Sequence, residues 1–238
     1  MNEKQRSVIE KAVNQMKKDP FVIGIILHGS FARETEHNFS DIDLYLVRKA
    51  REDDSYDDKT IFYYFDEIPV QIISRSEKSF KTKFLKRTRN KPIALYGKIL
   101  YDSEGLLDEY FQKAKRIAEQ GPLPLTAEEK LSIKIILSTD ILTVRGLIDK
   151  RRFVSASQLI DDILYEAVSG YYDINRWWFP SKKNLFEDLK EKDCRFGEIY
   201  EKIILENDTQ KKLDLLEFVA DNVLEKMGGK IYSYEVRY

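Results

Sequence analysis

The sequence has few residues of the kinds that form metal centres and cross-links. Its 238 residues include one cysteine, Cys194, and two histidines, His28 and His37. A single cysteine excludes an internal disulfide framework and fits a reducing, cytoplasmic location. Two histidines argue against a histidine-rich zinc site. No apolar run approaches the roughly 20 residues of a membrane span, and the N-terminus lacks a hydrophobic signal region, so we expect no membrane partner.

Charge is nearly balanced, with a formal net charge of −1. There is thus no overall attraction to nucleic acid, and nucleic acid is not an expected partner. The exception is residues 74–91, where eight lysines and arginines face one acid, Glu77. Phe80 and Phe84 in this segment predict a helix with a narrow apolar stripe. Its basic face is either solvated or turned toward phosphate or RNA, and salt-sensitive binding would separate the two interpretations.

The most informative stretch runs from position 22 to 47. It predicts a buried strand, a turn at Gly29 and Ser30, a polar excursion, and a second strand carrying Asp41 and Asp43. Alternate side chains of a strand share a face, so the two carboxylates are expected to project the same way. Paired carboxylates suit a hard cation such as Mg²⁺, which prefers oxygen ligands and accompanies nucleotide phosphates.

These residues resemble a known signature. The string GSFAR at 29–33, followed by SDIDL at 40–44, is similar to the motif of the DNA polymerase β-type nucleotidyltransferase superfamily, and in particular to bacterial aminoglycoside and lincosamide nucleotidyltransferases. Either half alone would be weak, but the two in order, each beside an apolar strand, form a strong motif. The resemblance extends over about residues 5–118.

The resemblance implies a role for each matching residue. Asp41 and Asp43 would be catalytic and would hold the metal, with two Mg²⁺ ions expected. Gly29 and Ser30 would bind the triphosphate of ATP or another NTP. Arg33 would add positive charge near the phosphates, or else form a surface salt bridge.

Two further features of the sequence, Gln71 and the segment 175–183, allow alternative interpretations. The family places a third carboxylate on a neighbouring strand, and position 71 there is Gln71, which cannot take a proton. A carboxylate from the turn, Asp66 or Glu67, or one from the second domain such as Glu166 could replace it; alternatively, activity is weak or lost.

The segment at 175–183, with two tryptophans and several cations, is either helix-corner packing or a stacking site. It resembles a segment near the cleft of related enzymes, which makes Lys183 a candidate contact for phosphate or substrate.

The rest of the chain predicts an α+β protein of two domains. Residues 1–120 would form a mixed sheet with flanking helices, the nucleotidyltransferase domain. The segment GPLP at 121–124 marks the boundary, and residues 125–238 would form an all-helical bundle, the acceptor-substrate domain, beginning at a capping box on Thr126. An acidic loop at 52–58 is expected to be a solvated hairpin connection.

The sequence thus predicts an enzyme that moves a nucleoside monophosphate, with AMP expected, from NTP to a hydroxyl of a small molecule. An aminoglycoside or lincosamide antibiotic is one such acceptor, which would make the protein a resistance factor. The alternatives are a protein AMP-transferase of antitoxin type and a non-catalytic nucleotide-binding module. The oligomeric state is not predicted.

Overall fold

The computed structural model describes residues 1–49 and 58–233. The predicted acidic loop therefore lies outside the described residues, except for Asp58. The chain divides into two compact units. The first comprises Met1–Thr88 and Pro92–Gln120, and the second comprises Arg89–Lys91 and Gly121–Tyr238. Strands and helices both contribute, and the predicted α+β fold is confirmed.

The first unit is built on one mixed sheet. Its elements, in chain order, are α1 (Glu3–Met16), β1 (Val22–His28), α2 (Gly29–Arg33), β2 (Ile42–Arg48), β3 (Lys59–Phe65), β4 (Ile68–Ser76), α3 (Glu77–Phe84), β5 (Lys98–Asp102) and α4 (Leu106–Ala118). The described strands lie in the order β3-β4-β2-β1-β5. Strands β2 and β4 run parallel, and the other neighbouring pairs run antiparallel.

Strand β2 separates two hydrophobic cores. Ile42 and Leu44 face the core that α1 covers, whereas Tyr45 and Val47 face the core that contains residues of α3 and α4. This alternation follows from the two-residue period of a strand. Asp43 lies on the Tyr45 side, at the start of the strand, where the apolar run gives way to polar residues.

The second unit is helical. Its helices are α5 (Ala127–Asp149), α6 (Phe153–Asn175), α7 (Leu185–Lys192), α8 (Cys194–Leu205) and α9 (Thr209–Lys226), and their apolar stripes meet in a single core. Thr126 and Glu129 form the predicted capping box at the start of α5. No helix in the described part of either unit is both long enough and apolar enough to cross a membrane.

The prediction of one helix within the basic segment 74–91 is only partly right. Strand β4 continues to Ser76, whose hydroxyl accepts a hydrogen bond from the Ser79 N–H and so begins α3, which ends at Phe84. Phe80 and Phe84 pack in the core beside Tyr45. Tertiary packing of these rings, rather than the cations, determines the helix.

Candidate active site

The register of the sheet aligns three polar residues across neighbouring strands. His28 ends β1 and pairs with Asp43 of β2, and Asp43 pairs with Gln71 of β4. Their neighbours Leu27, Leu44 and Val70 or Ile72 belong to the opposite core, so His28, Asp43 and Gln71 share the other face. The position that the resemblance assigns to a third carboxylate is thus directly beside Asp43.

At Gly29 the backbone leaves β1 in close contact with the Asp43 side chain. Its φ is +65°, a left-handed conformation that favours glycine. A Cβ at this position would overlap the Asp43 carboxylate and lie 2.7 Å from Asp43 Cγ. The predicted glycine turn is in fact the first residue of the short helix α2, and glycine is required there both by its backbone conformation and by the carboxylate beside it.

Ser30 and Arg33 of α2 lie on the same side of the unit. Ser30 is 1% exposed, and its Oγ has no hydrogen-bond partner among the described residues. The Arg33 guanidinium stacks on Tyr96, 4.8 Å from the ring centroid. Burial raises the pKa of Tyr96, and the Asp43 carboxylate raises it further, whereas Arg33 lowers it. Arg33 therefore contacts a ring close to Asp43, and it forms no salt bridge with any carboxylate in the described part of the chain, which is the alternative considered above.

Asp41 reaches the site from a turn and not from the strand, because β2 begins at Ile42. Two hydrogen bonds between His37 and Ser40 close that turn: Ser40 N–H donates to the His37 carbonyl at 3.0 Å, and His37 N–H donates to Ser40 Oγ at 2.9 Å. The side-chain amide of Gln5, on α1, donates a hydrogen bond to the same His37 carbonyl and so ties the turn to the helix. The negative charge of Asp41 raises the pKa of His28, so the two residues lie at the same end of the sheet.

His28 is the residue that the motif does not reveal. Burial lowers its pKa to about 4, and Arg33 also lowers it, while a hydrogen bond to the Leu44 backbone and the charge of Asp41 raise it. Its Nε2 is buried without a hydrogen-bond partner among the described residues. At neutral pH His28 is therefore an uncharged imidazole beside two carboxylates. The signal in the sequence is a histidine directly before the Gly-Ser pair.

The donor set fits a divalent cation held by two carboxylates. Among the described residues, no group of three or more histidine, cysteine, aspartate or glutamate side chains is arranged to hold a metal. Asp41 and Asp43 would hold Mg²⁺, and phosphate oxygens and water would complete the shell, as Mg²⁺ commonly requires. Ser30 follows Gly29 in the chain, and its Oγ, without a partner among the described residues, suits a phosphate oxygen.

The replacements considered for the missing carboxylate are engaged elsewhere or lie in the second unit. Asp66 pairs with Lys11 at 2.5 Å and Glu67 pairs with Lys4 at 3.2 Å, both on α1. Glu166 is on α6 and lines a cavity of about 390 Å³ in the helical unit. A role for Glu166 as the base stays a prediction.

The aromatic segment near position 178 packs within the helical unit. Trp177 stacks edge-on against Tyr171 and Tyr172, and Phe179 packs edge-on against Tyr172. For these rings, helix-corner packing is the interpretation that the contacts favour. Lys183 is exposed in a short 3₁₀ turn, Lys182–Asn184, and its contact with phosphate stays a prediction.

Several cations of the basic segment are paired with carboxylates in the structure. Lys81 pairs with Glu77 and Lys83 with Asp58. Arg89 pairs with Glu129 of α5 within the second unit. These partners favour a solvated, ion-paired surface over a nucleic-acid patch.

One family model covers the segment that carries Gly29, Ser30, Asp41 and Asp43. Residues 10–109 match the family model described as Polymerase beta, Nucleotidyltransferase, which confirms the resemblance inferred from the motif. Among solved structures, the chain is similar to a nucleotidyltransferase-like protein from Exiguobacterium sibiricum 255-15, with 13% identity, 93% of this chain and 74% of that chain covered, and a TM-score of 0.47. A search of the curated proteins finds no match.

Replacing Gly29 by alanine should weaken nucleotide binding. The new Cβ must displace the Asp43 carboxylate, so we expect the affinity for Mg²⁺ and a non-hydrolysable ATP analogue to fall about tenfold or more by calorimetry. Gly105→Ala is the matched control, because Gly105 also has a positive φ but has nothing within 4 Å of its Cβ position. Both variants carry a backbone strain of about 1–2 kcal/mol. Equal nucleotide affinities in the two variants would contradict this account of Gly29.

The lowered pKa of His28 predicts a dependence of stability on pH. The folded-state pKa of about 4 lies below the ordinary value of 6.5, so between these values the unfolded chain binds a proton that the folded chain does not. Stability from this group is complete above pH 6.5 and is lost as the pH falls toward 4, by up to about 3 kcal/mol. Urea unfolding in EDTA should show this loss in the wild type relative to His28→Gln. Parallel pH curves would refute it.

Proposed function

We propose that the protein transfers a nucleoside monophosphate, with AMP preferred, from a nucleoside triphosphate to a hydroxyl of a small molecule. The observation that carries the proposal is the close approach of Gly29 to the Asp43 carboxylate, with Asp41 delivered to the same end of the sheet. This arrangement occurs in a domain of the nucleotidyltransferase superfamily. Aminoglycosides and lincosamides are the first acceptors to examine, and such an activity would confer antibiotic resistance.

Five residues of the first unit have a part in this proposal. Gly29 and Ser30 bind the triphosphate, Gly29 by permitting close backbone approach and Ser30 through its hydroxyl. Arg33, held against Tyr96, adds positive charge. Asp41 and Asp43 would hold divalent cations, expected to be two Mg²⁺ ions, which would supply positive charge to the oxygens of an in-line displacement. The acceptor oxygen forms a bond to the α-phosphorus while the bond to pyrophosphate breaks.

Gln71 is a neutral residue on the acceptor side of the proposed site, whereas the nucleotide side carries carboxylates. Its amide can donate and accept hydrogen bonds but cannot remove a proton. We assign it to orienting the acceptor hydroxyl next to Asp43, with the proton passing to another base. Residues 125–238 are the proposed acceptor-substrate domain, and Lys183 of that domain is a proposed phosphate contact.

A second candidate, a nucleotide-binding module without catalysis, is favoured by the same glutamine. Without a carboxylate at this position, the site could bind Mg²⁺ and nucleotide without activating an acceptor. Calorimetry combined with a turnover assay distinguishes the two, because the module would bind nucleotide but release no pyrophosphate with any acceptor.

The proposed function predicts which carboxylates are essential. With Mg²⁺, ATP and a panel of aminoglycosides and lincosamides, the wild type should release pyrophosphate, and Asp41→Asn and Asp43→Asn should each lower that rate at least about 100-fold. Asp66→Asn is the control, because Asp66 is an exposed carboxylate of the same unit that pairs with Lys11. Circular dichroism verifies the fold of each variant. Full turnover in either Asp41→Asn or Asp43→Asn would place the active site elsewhere.

A further inference from the structure

Two exposed aromatic side chains extend the row of site residues to the outer strand of the sheet. Phe62 of β3 pairs with Gln71, which pairs with Asp43. Phe62 therefore shares the face of Asp43 and lies two strands away, at roughly 10 Å given a strand spacing of about 4.8 Å. Tyr64 follows two residues later on the same face and pairs with Pro69. We call Phe62 and Tyr64 the aromatic platform.

The two rings of the aromatic platform are exposed, whereas the opposite face of β3 packs against the core. Phe62 is 57% exposed and Tyr64 is 66% exposed. Their rings lie edge to face, with centroids 5.4 Å apart and planes at 84°. In contrast, Ile61, Tyr63 and Phe65 turn to the opposite face and pack against the core. Large exposed aromatics on an outer strand favour unwanted association, so their presence beside a catalytic row points to a ligand that covers them.

Among the residues that the structure describes, the immediate neighbours of the platform carry little unbalanced charge. The directly paired residues, Gln71 and Pro69, are uncharged. The acids of the adjoining turn, Asp66 and Glu67, are each paired with a lysine of α1. The chemistry available here is therefore stacking on an uncharged ring face and hydrogen bonding to an amide, not attraction of a cation.

We propose that the aromatic platform binds a ring of the acceptor, so that the acceptor is a hydroxyl compound with an uncharged, apolar ring face about 10 Å from the reacting hydroxyl. The proposal rests on the proposed function, because it places the acceptor on the Gln71 side of Asp43. Aromatic and sugar rings both offer such a face. The acceptor would extend from Asp43 across Gln71 and end on Phe62 and Tyr64.

Two glycosides with the same sugar provide the test. The probes are p-nitrophenyl β-D-glucoside, which has an aromatic ring, and methyl β-D-glucoside, which does not. Calorimetry with the full chain, Mg²⁺ and a non-hydrolysable ATP analogue should show the aromatic glycoside binding about tenfold more tightly. The double variant Phe62→Ala/Tyr64→Ala should lose that preference. The conservative variants Phe62→Tyr and Tyr64→Phe should keep it.

Phe21→Ala is the matched control. Phe21 is a partly exposed phenylalanine of the same unit, 38% exposed, and it precedes β1 at the end of the sheet opposite His28. This variant should retain the ring preference. Equal binding of the two glycosides by the wild type, or an unchanged preference in the double variant, would overturn the proposal. A dimer in sedimentation that the double variant abolishes would also overturn it, because the platform would then be covered by a second copy.

Nucleotide binding in the same samples separates this proposal from the function on which it rests. The wild type and the platform variants should bind the ATP analogue equally, because Phe62 and Tyr64 lie on the acceptor side. Normal nucleotide binding without a ring preference overturns the platform alone. Absence of nucleotide binding from the wild type overturns the proposed function.

Discussion

The antiparallel pairing of β1 and β2 brings a carboxylate against a backbone that has no side chain, and the rest of the site depends on that approach. His28 is the last residue of β1 and lies opposite Asp43. The chain must then turn away at once, and it does so through a residue with φ of +65°. Only glycine both adopts this conformation readily and leaves room for the Asp43 side chain. The turn proposed to bind nucleotide and the strand proposed to bind metal are therefore a single structural feature.

The cores on the two sides of the sheet make this approach rigid. Ile42 and Leu44 are fully buried on one side, and Val47 is fully buried on the other. A shift of the strand by one residue would turn every apolar side chain of β2 toward the wrong face. Asp43 is therefore held in place by residues that take no part in the chemistry. The same packing buries His28 and keeps its imidazole neutral at physiological pH.

The parts of the fold that the sequence predicted are those that depend on local pattern. The alternation in β2, the capping box at Thr126 and the helical stripes of the second unit are all properties of nearby residues. The parts that it did not predict depend on distant contacts. The start of β2 after Asp41 and the end of α3 at Phe84 follow from a turn held by Gln5 and from rings packed beside Tyr45.

The same division between local pattern and distant contacts applies to the candidate site. The motif singles out Gly29, Ser30 and Asp43 because they stand in a Gly-Ser pair and an Asp-x-Asp string, each beside an apolar strand. It could not locate His28 or Tyr96, because their importance comes from burial and from neighbours on other strands. The contact between Arg33 and Tyr96, for example, joins α2 to a residue 63 positions further along the chain.

The row across the sheet changes in chemistry from one strand to the next. At β1 and β2 it is polar and charged, with Asp43 beside the turn at Gly29. At β4 it is a neutral amide, and at β3 it is aromatic. A carboxylate at position 71 would have drawn cations toward the outer strand, whereas Gln71 ends the region of negative charge one strand earlier. The sheet thus separates a side suited to metal and phosphate from a side suited to an uncharged ring, and Gln71, where the two sides meet, offers no base.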